Sequence, residues 1–223
     1  MWADVNYGKF HGNSGQNLLA VRQKTEGNPL TSENSITTLL TRSLEEHLAA
    51  IQGLLDARLD EIKKSGQVIC DTLAAGNKIL LCGNGGSAAD AQHIAAELVG
   101  RYEQPRRAFP AIALTTDTSA LTALSNDYGY DDVFARQVQA LATAGDVLIA
   151  ISTSGQSANV IKAVERARAL GCKTIGLTGN SGQPLASLCD LAIIVPAPRT
   201  SRVQEAHITI GHLWCEMVDA LLV

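Results

Sequence analysis

The chain lacks several features that would point to other kinds of protein. It has no Cys-x-x-Cys pair, and its five cysteines (Cys70, Cys82, Cys172, Cys189 and Cys215) are scattered. This argues against a disulfide framework or a zinc ribbon and fits a reduced, cytoplasmic setting. There is no cluster of Lys and Arg, and the formal net charge is −4, so no nucleic-acid partner is expected. Apolar runs such as LAIIV at 191–195 fall far short of a membrane span, and the first residues hold no apolar stretch of signal-peptide length. No membrane association is expected. The dinucleotide fingerprint GxGxxG and the Lys-Ser/Thr ending of a nucleotide-triphosphate loop are also missing.

What is present suits one large globular domain: 223 residues, 46% of them apolar. Residues 1–34 are polar and without periodicity, and are expected to form a mobile extension; a docking arm is the alternative. From Ser35 to about Ala75, leucines and isoleucines recur every three or four residues, which predicts a long helix that breaks near Ser65-Gly66 and covers other helices, in this subunit or a neighbour. After Gly76 the pattern changes. The runs KILLCG, AIALTT, DVLIAIS, KTIGLTG and LAIIVP have strand length and alternate with helical stretches. Continuous apolar runs are what parallel strands covered on both faces require. The alternation predicts a doubly wound α/β parallel sheet flanked by helices, with ligands collecting at the carboxyl ends of the strands.

Two polar loops leave such strands and open helices: GNGGS at 83–87 and STSGQS at 152–157. Glycine lets a backbone approach a ligand closely, hydroxyls donate hydrogen bonds, and a helix N-terminus favours an anion. The loops therefore read as a cradle for a sugar phosphate; ordinary helix capping by Ser and Thr is the alternative. Just beyond the first loop, His93 and Glu97 stand four residues apart and share a helix face. Such a pair alone is weak evidence. The last helix, expected from about Ser201 to Leu222, adds Gln204, Ile208 and His212 at successive four-residue steps, one stripe of its surface. His207 lies about 140° from His212 on a regular helix, so it reads as a partner-bonded core or interface histidine. His11 and His47 are assigned no role.

The segments GNGGSAADAQHIAAELVGRY, ALTTDTSALTALSNDYGYDDVF, GDVLIAISTSGQSANVIKA and RVQEAHITIGH together resemble the phosphoheptose isomerases, which are sugar isomerase (SIS) domain enzymes. The likeness runs from about residue 40 to the C-terminus and includes polar as well as apolar positions. It implies a five-stranded, flavodoxin-like sheet with a long N-terminal helix, spanning 35–223 as one SIS domain. It also implies a homotetramer with active sites between subunits, and isomerisation of sedoheptulose 7-phosphate to D-glycero-D-manno-heptose 7-phosphate on the way to ADP- or GDP-heptose and lipopolysaccharide. Carried over by motif, Asn84, Gly85, Gly86, Ser87, Asn126 and Asp127 would lie at the sugar, and Ser152, Thr153, Ser154 and Ser157 at the phosphate. His93, Glu97, Gln204 and His212 match positions that hold zinc, one per subunit and partly occupied. Glu97 and Gln204 would also touch substrate, and Glu97 and His212 would be the catalytic acid/base groups. Ser201 stands where some members carry aspartate and is given no catalytic role. Two rival readings remain: a non-catalytic SIS relative that binds the replication initiator, and an isomerase of another sugar phosphate.

Overall fold

The computed structural model describes residues 33–223 apart from Asn180, so the expected extension over 1–34 lies almost wholly outside the described residues. The chain divides into two compact units, Met1–Ser43 and Leu44–Val223. Of the first, the described part is the opening of helix α1 (Glu33–Ala57). The second unit holds the sheet and the helices that cover it.

The helical repeat from Ser35 onward is interrupted, but not where the sequence suggested. The break falls at Arg58, which leaves helical geometry (φ −129°, ψ 2°) between α1 and α2 (Leu59–Ala74). The Arg58 Nε donates to the Ile194 carbonyl at 3.0 Å, and Nη1 pairs with Glu61 Oε1 at 3.1 Å. Ser65 and Gly66 instead sit buried inside α2. Ser65 Oγ donates back to the Glu61 carbonyl at 2.7 Å and accepts from Trp214 Nε1 at 3.1 Å. Gly66 is small because Met217 Sδ occupies the space a Cβ would need. The pair that looked like a helix stop is the seat of the fully buried Trp214.

All five apolar runs are strands: β1 (Ile79–Gly83), β2 (Ala111–Ala113), β3 (Val147–Ser152), β4 (Lys173–Gly179) and β5 (Leu191–Val195). They form one parallel sheet in the order β2-β1-β3-β4-β5, the flavodoxin-like arrangement. Every residue of β1 and β3 is buried, which is why both read as unbroken apolar runs. Alternate side chains serve two cores. Ile79, Leu81, Val147 and Ile149 face the core shared with α2, α3 (Gly86–Val99) and α8 (Thr200–Leu222). Leu80, Cys82, Leu148 and Ala150 face the core shared with α5 (Val133–Leu141) and α6 (Ala158–Ala169). Each fully buried Leu or Ile contributes about 1.5–3 kcal/mol. The other helices are α4 (Thr118–Tyr128) and the short α7 (Leu185–Leu188).

The amino ends of β1 and β3 are pinned by Asp146. Its buried carboxylate accepts from Lys78 Nζ at 2.6 Å, the Lys78 N–H at 3.0 Å and the Thr143 N–H at 2.7 Å. Burial by itself would raise the Asp146 carboxyl; these bonds outweigh it and hold it below the usual range. The sheet is thus anchored at one end, and the loops at the other end are left for a ligand.

Candidate functional site

β1 and β3 are neighbours, with Gly83 opposite Ile151, so the two polar loops leave the sheet side by side. Between them the chain passes out to β2 on one side and returns to β3 on the other. This makes the gap between β1 and β3 the switch point where ligands of such sheets bind.

Asn84 joins the loops. Its Nδ2 donates to Asn159 Oδ1, and its Oδ1 accepts from Asn159 Nδ2, both at 2.9 Å. Tyr130 Oη donates to the same Asn84 oxygen at 3.0 Å. In the second loop, Ser152 and Ser157 pair through their hydroxyls at 2.9 Å, and Ser154 Oγ accepts from the Gln156 N–H at 3.2 Å. The Thr153 carbonyl accepts from the Gly179 N–H at 3.1 Å. Gly155 has φ 71°, and a Cβ there would stand 2.5 Å from the Gly182 carbonyl, so no other residue fits without moving backbone. Ser157 precedes α6 but makes no side-chain capping bond, and neither does Gly85 before α3. Side-chain capping of α6 therefore does not explain Ser157. In the first turn of α6 the Val160 N–H is taken by Asn159 Oδ1 at 3.0 Å, while Gly85 before α3 has no side chain to cap with; a helix start of that kind suits a phosphate.

α3 and α8 bring the second group together. His93 Nε2 lies 2.9 Å from His212 Nε2 and 3.5 Å from Glu97 Oε1. A ring nitrogen pair this close needs one donor and one acceptor. Tyr102 lies against His212 with ring centroids 5.6 Å apart. Gln204 is on the same α8 face, near Gly86, but its amide donates to Asp90 Oδ1 at 2.6 Å. Asp90 is buried, and its second oxygen has no partner among the described residues. Burial raises the Asp90 carboxyl to about 6, against the opposing pull of the Gln204 bond and of His93.

Two imidazoles and a carboxylate are donor types that suit zinc. His93, Glu97 and His212 converge, whereas Gln204 is turned to Asp90. Among the described residues, no group of three or more His, Cys, Asp or Glu side chains stands in metal-holding geometry. Asn126 and Asp127 bond to each other at 2.8 Å on the exposed end of α4. Within one chain the contact with the first loop comes instead from Tyr130. His207 is wholly buried, as its place on α8 suggested, yet neither ring nitrogen has a partner among the described residues. Burial pushes it down to about 4; the Thr178 backbone, near the ring but outside hydrogen-bonding geometry, opposes this. His47, given no role above, pairs with Glu205 at 2.7 Å.

Residues 44–179 match the SIS domain model. A phosphoheptose isomerase from Aliarcobacter butzleri is 58% identical over 173 residues, 78% of this chain and 92% of that protein. A structure of the phosphoheptose isomerase of Neisseria gonorrhoeae is 44% identical with a TM-score of 0.80, covering 83% of this chain and all of that one. The corresponding structure from Francisella tularensis is 36% identical with the same TM-score, covering 82% and 98%. The chain belongs to the phosphoheptose isomerase family of SIS domains. Around the predicted residues the structure places four that the sequence reading did not name: Asp90, Asn159, Tyr130 and Tyr102. Asp90 had a readable signal, since it stands three residues before His93 on the same helix. The partnership of Asn159 with Asn84 had none, because it depends on β1 and β3 being adjacent.

Proposed function

We propose that the chain interconverts sedoheptulose 7-phosphate and D-glycero-D-manno-heptose 7-phosphate, a step toward nucleotide-activated heptose and lipopolysaccharide, in the cytoplasm. The observation that carries the reading is that His93 Nε2 contacts both Glu97 and His212, on the helix that starts from the first polar loop. High identity to proteins named phosphoheptose isomerase supports the substrate and disfavours the binding-only relative.

The phosphate sits among Ser152, Thr153, Ser154 and Ser157, and Asn84, Gly85, Gly86 and Ser87 face the sugar. Glu97 removes the proton from C1 of the open-chain ketose while His212 protonates the C2 oxygen, giving an enediol. His212 then takes the proton from the C1 hydroxyl, and Glu97 returns its proton to C2, leaving the aldose with no net change in protons. Gln204 hydrogen-bonds a sugar oxygen, and donors around the enediol offset its developing charge. Zinc, one per subunit and partly occupied, would be held by His93, Glu97 and His212, with Gln204 joining if its side chain leaves Asp90. Bound there, zinc supplies Lewis-acid polarisation of the sugar oxygens.

Asn126 and Asp127 contact the sugar from a position that a second subunit completes, in a homotetramer with sites between subunits. Two features support this assembly. His93 is half exposed, and the Leu44, Leu48 and Leu55 side chains of α1 are 66%, 66% and 59% exposed, an apolar row that a second copy would cover. The test is an assay of the purified protein on a panel of ketose phosphates, with chelator and with added zinc. Sedoheptulose 7-phosphate should be the preferred substrate, with turnover lost to chelator and restored by zinc. Turnover of a different ketose phosphate alone would reassign the substrate, and turnover indifferent to chelator would remove zinc from the site.

A further inference from the structure

We infer that Arg106, locked to Asp219, is a positioning residue that holds the α3 turn carrying Glu97 in register with α8. The last turn of α3 contains no basic residue, and its final carbonyls have no partners within the helix. Arg106 returns from the following loop to the Glu97 and Leu98 carbonyls, the second of which also accepts from the Phe109 N–H at 3.1 Å. Its Nη2 donates to the Glu97 carbonyl at 2.8 Å and its Nη1 to the Leu98 carbonyl at 2.9 Å. Its Nε donates to Asp219 Oδ1 at 2.7 Å. The other Asp219 oxygen accepts from the N–H groups of Glu103 and Gln104, each at 3.0 Å. The two side chains are 1% and 7% exposed, and the guanidinium lies 4.8 Å from the centroid of the Phe109 ring.

A cation at a helix C-terminus is ordinary, but this arrangement does more than cap. Asp219 stands on α8, seven residues beyond His212. One planar fork therefore grips the backbone of Glu97 and, through Asp219, the helix that carries His212. A buried ion pair is weak evidence for stability, because desolvation offsets much of its attraction. What it supplies is fixed geometry, and a flexible ammonium in place of the fork would not reproduce that. The phosphate loops lie at the other end of α3, so the clamp bears on the reacting end of the sugar and not on its anchor.

The inference rests on Glu97 as the base, so the experiment carries Glu97→Gln alongside Arg106→Lys and Asp219→Asn. Steady-state kinetics on sedoheptulose 7-phosphate are read well below each melting midpoint. Arg106→Lys should lower kcat about 10- to 100-fold, as small misplacements of reacting groups do. KM should stay within about threefold, since uniform binding is untouched. If Arg106→Lys does not fold, Asp219→Asn, which keeps an acceptor of the same shape, is held to the same split between kcat and KM. A lowered melting midpoint with wild-type kcat would reduce the pair to a structural cap and overturn the inference while leaving Glu97 in place. Turnover surviving in Glu97→Gln would overturn the reading of Glu97, and the inference with it.

Discussion

His93 Nε2 sits 2.9 Å from His212 Nε2, although 119 positions of chain separate them. Glu97 reaches the same His93 nitrogen at 3.5 Å from one turn further along α3. One helix leaving β1 and one following β5 thus place two imidazoles and a carboxylate on a single patch.

The carboxylate is the group whose removal should matter most. Glu97→Gln keeps the shape and loses the base, so kcat should fall by about 10²–10⁴. Calorimetry should still detect sugar phosphate binding, because the loops at 83–87 and 152–157 are untouched. Near-normal turnover would take Glu97 out of the reaction.

Asn159→Asp tests the link between the loops. The aspartate can still accept from Asn84 Nδ2 and from the Val160 N–H, but it can no longer donate to Asn84 Oδ1. Two oxygens then face each other in a buried setting, a loss of about 1–3 kcal/mol by denaturant titration. The added negative charge beside the phosphate cradle should also raise KM more than it lowers kcat. An unchanged KM would mean that the reciprocal pair does not shape the cradle.

His207 sets a sign for acid stability. Its folded value is depressed to about 4 from an ordinary 6.5, so the unfolded chain takes up the proton first. Its contribution is fully present above about pH 6.5, declines as the pH falls, and reaches its full loss near pH 4, on the order of 3 kcal/mol. Asp90, raised to about 6, works in the opposite direction over part of that range. Comparing wild type with His207→Gln isolates the histidine, because Asp90 is common to both. The variant should lose less stability between pH 7 and pH 4. Parallel pH curves would assign the acid sensitivity elsewhere.

The order of elements was legible because burial on both faces leaves a mark in one dimension. Every residue of β1 and β3 is covered, so both appear as apolar runs, and the glycines and hydroxyls that follow them stand out. The pairing of Gln204 and His212 on one stripe was legible for a similar reason, since a helix repeats its face every three or four residues. The break in the first helical stretch was not. Ser65 and Gly66 look like a stop locally, yet their small size makes room for Trp214 and Met217, while Arg58 ends α1 by reaching the Ile194 carbonyl far along the chain.

By itself, then, the sequence determined which residues could do chemistry and which faces they would occupy, because periodicity and loop composition are local properties. Tertiary structure alone decided the partners: that Asn84 meets Asn159, that Gln204 turns to Asp90, and that Arg106 spans from Glu97 to Asp219. Each of those contacts exists only once adjacent strands set two loops beside one another or two helices pack on the same sheet face. Most buried polar groups find partners wherever the fold brings them, whatever their distance in the chain.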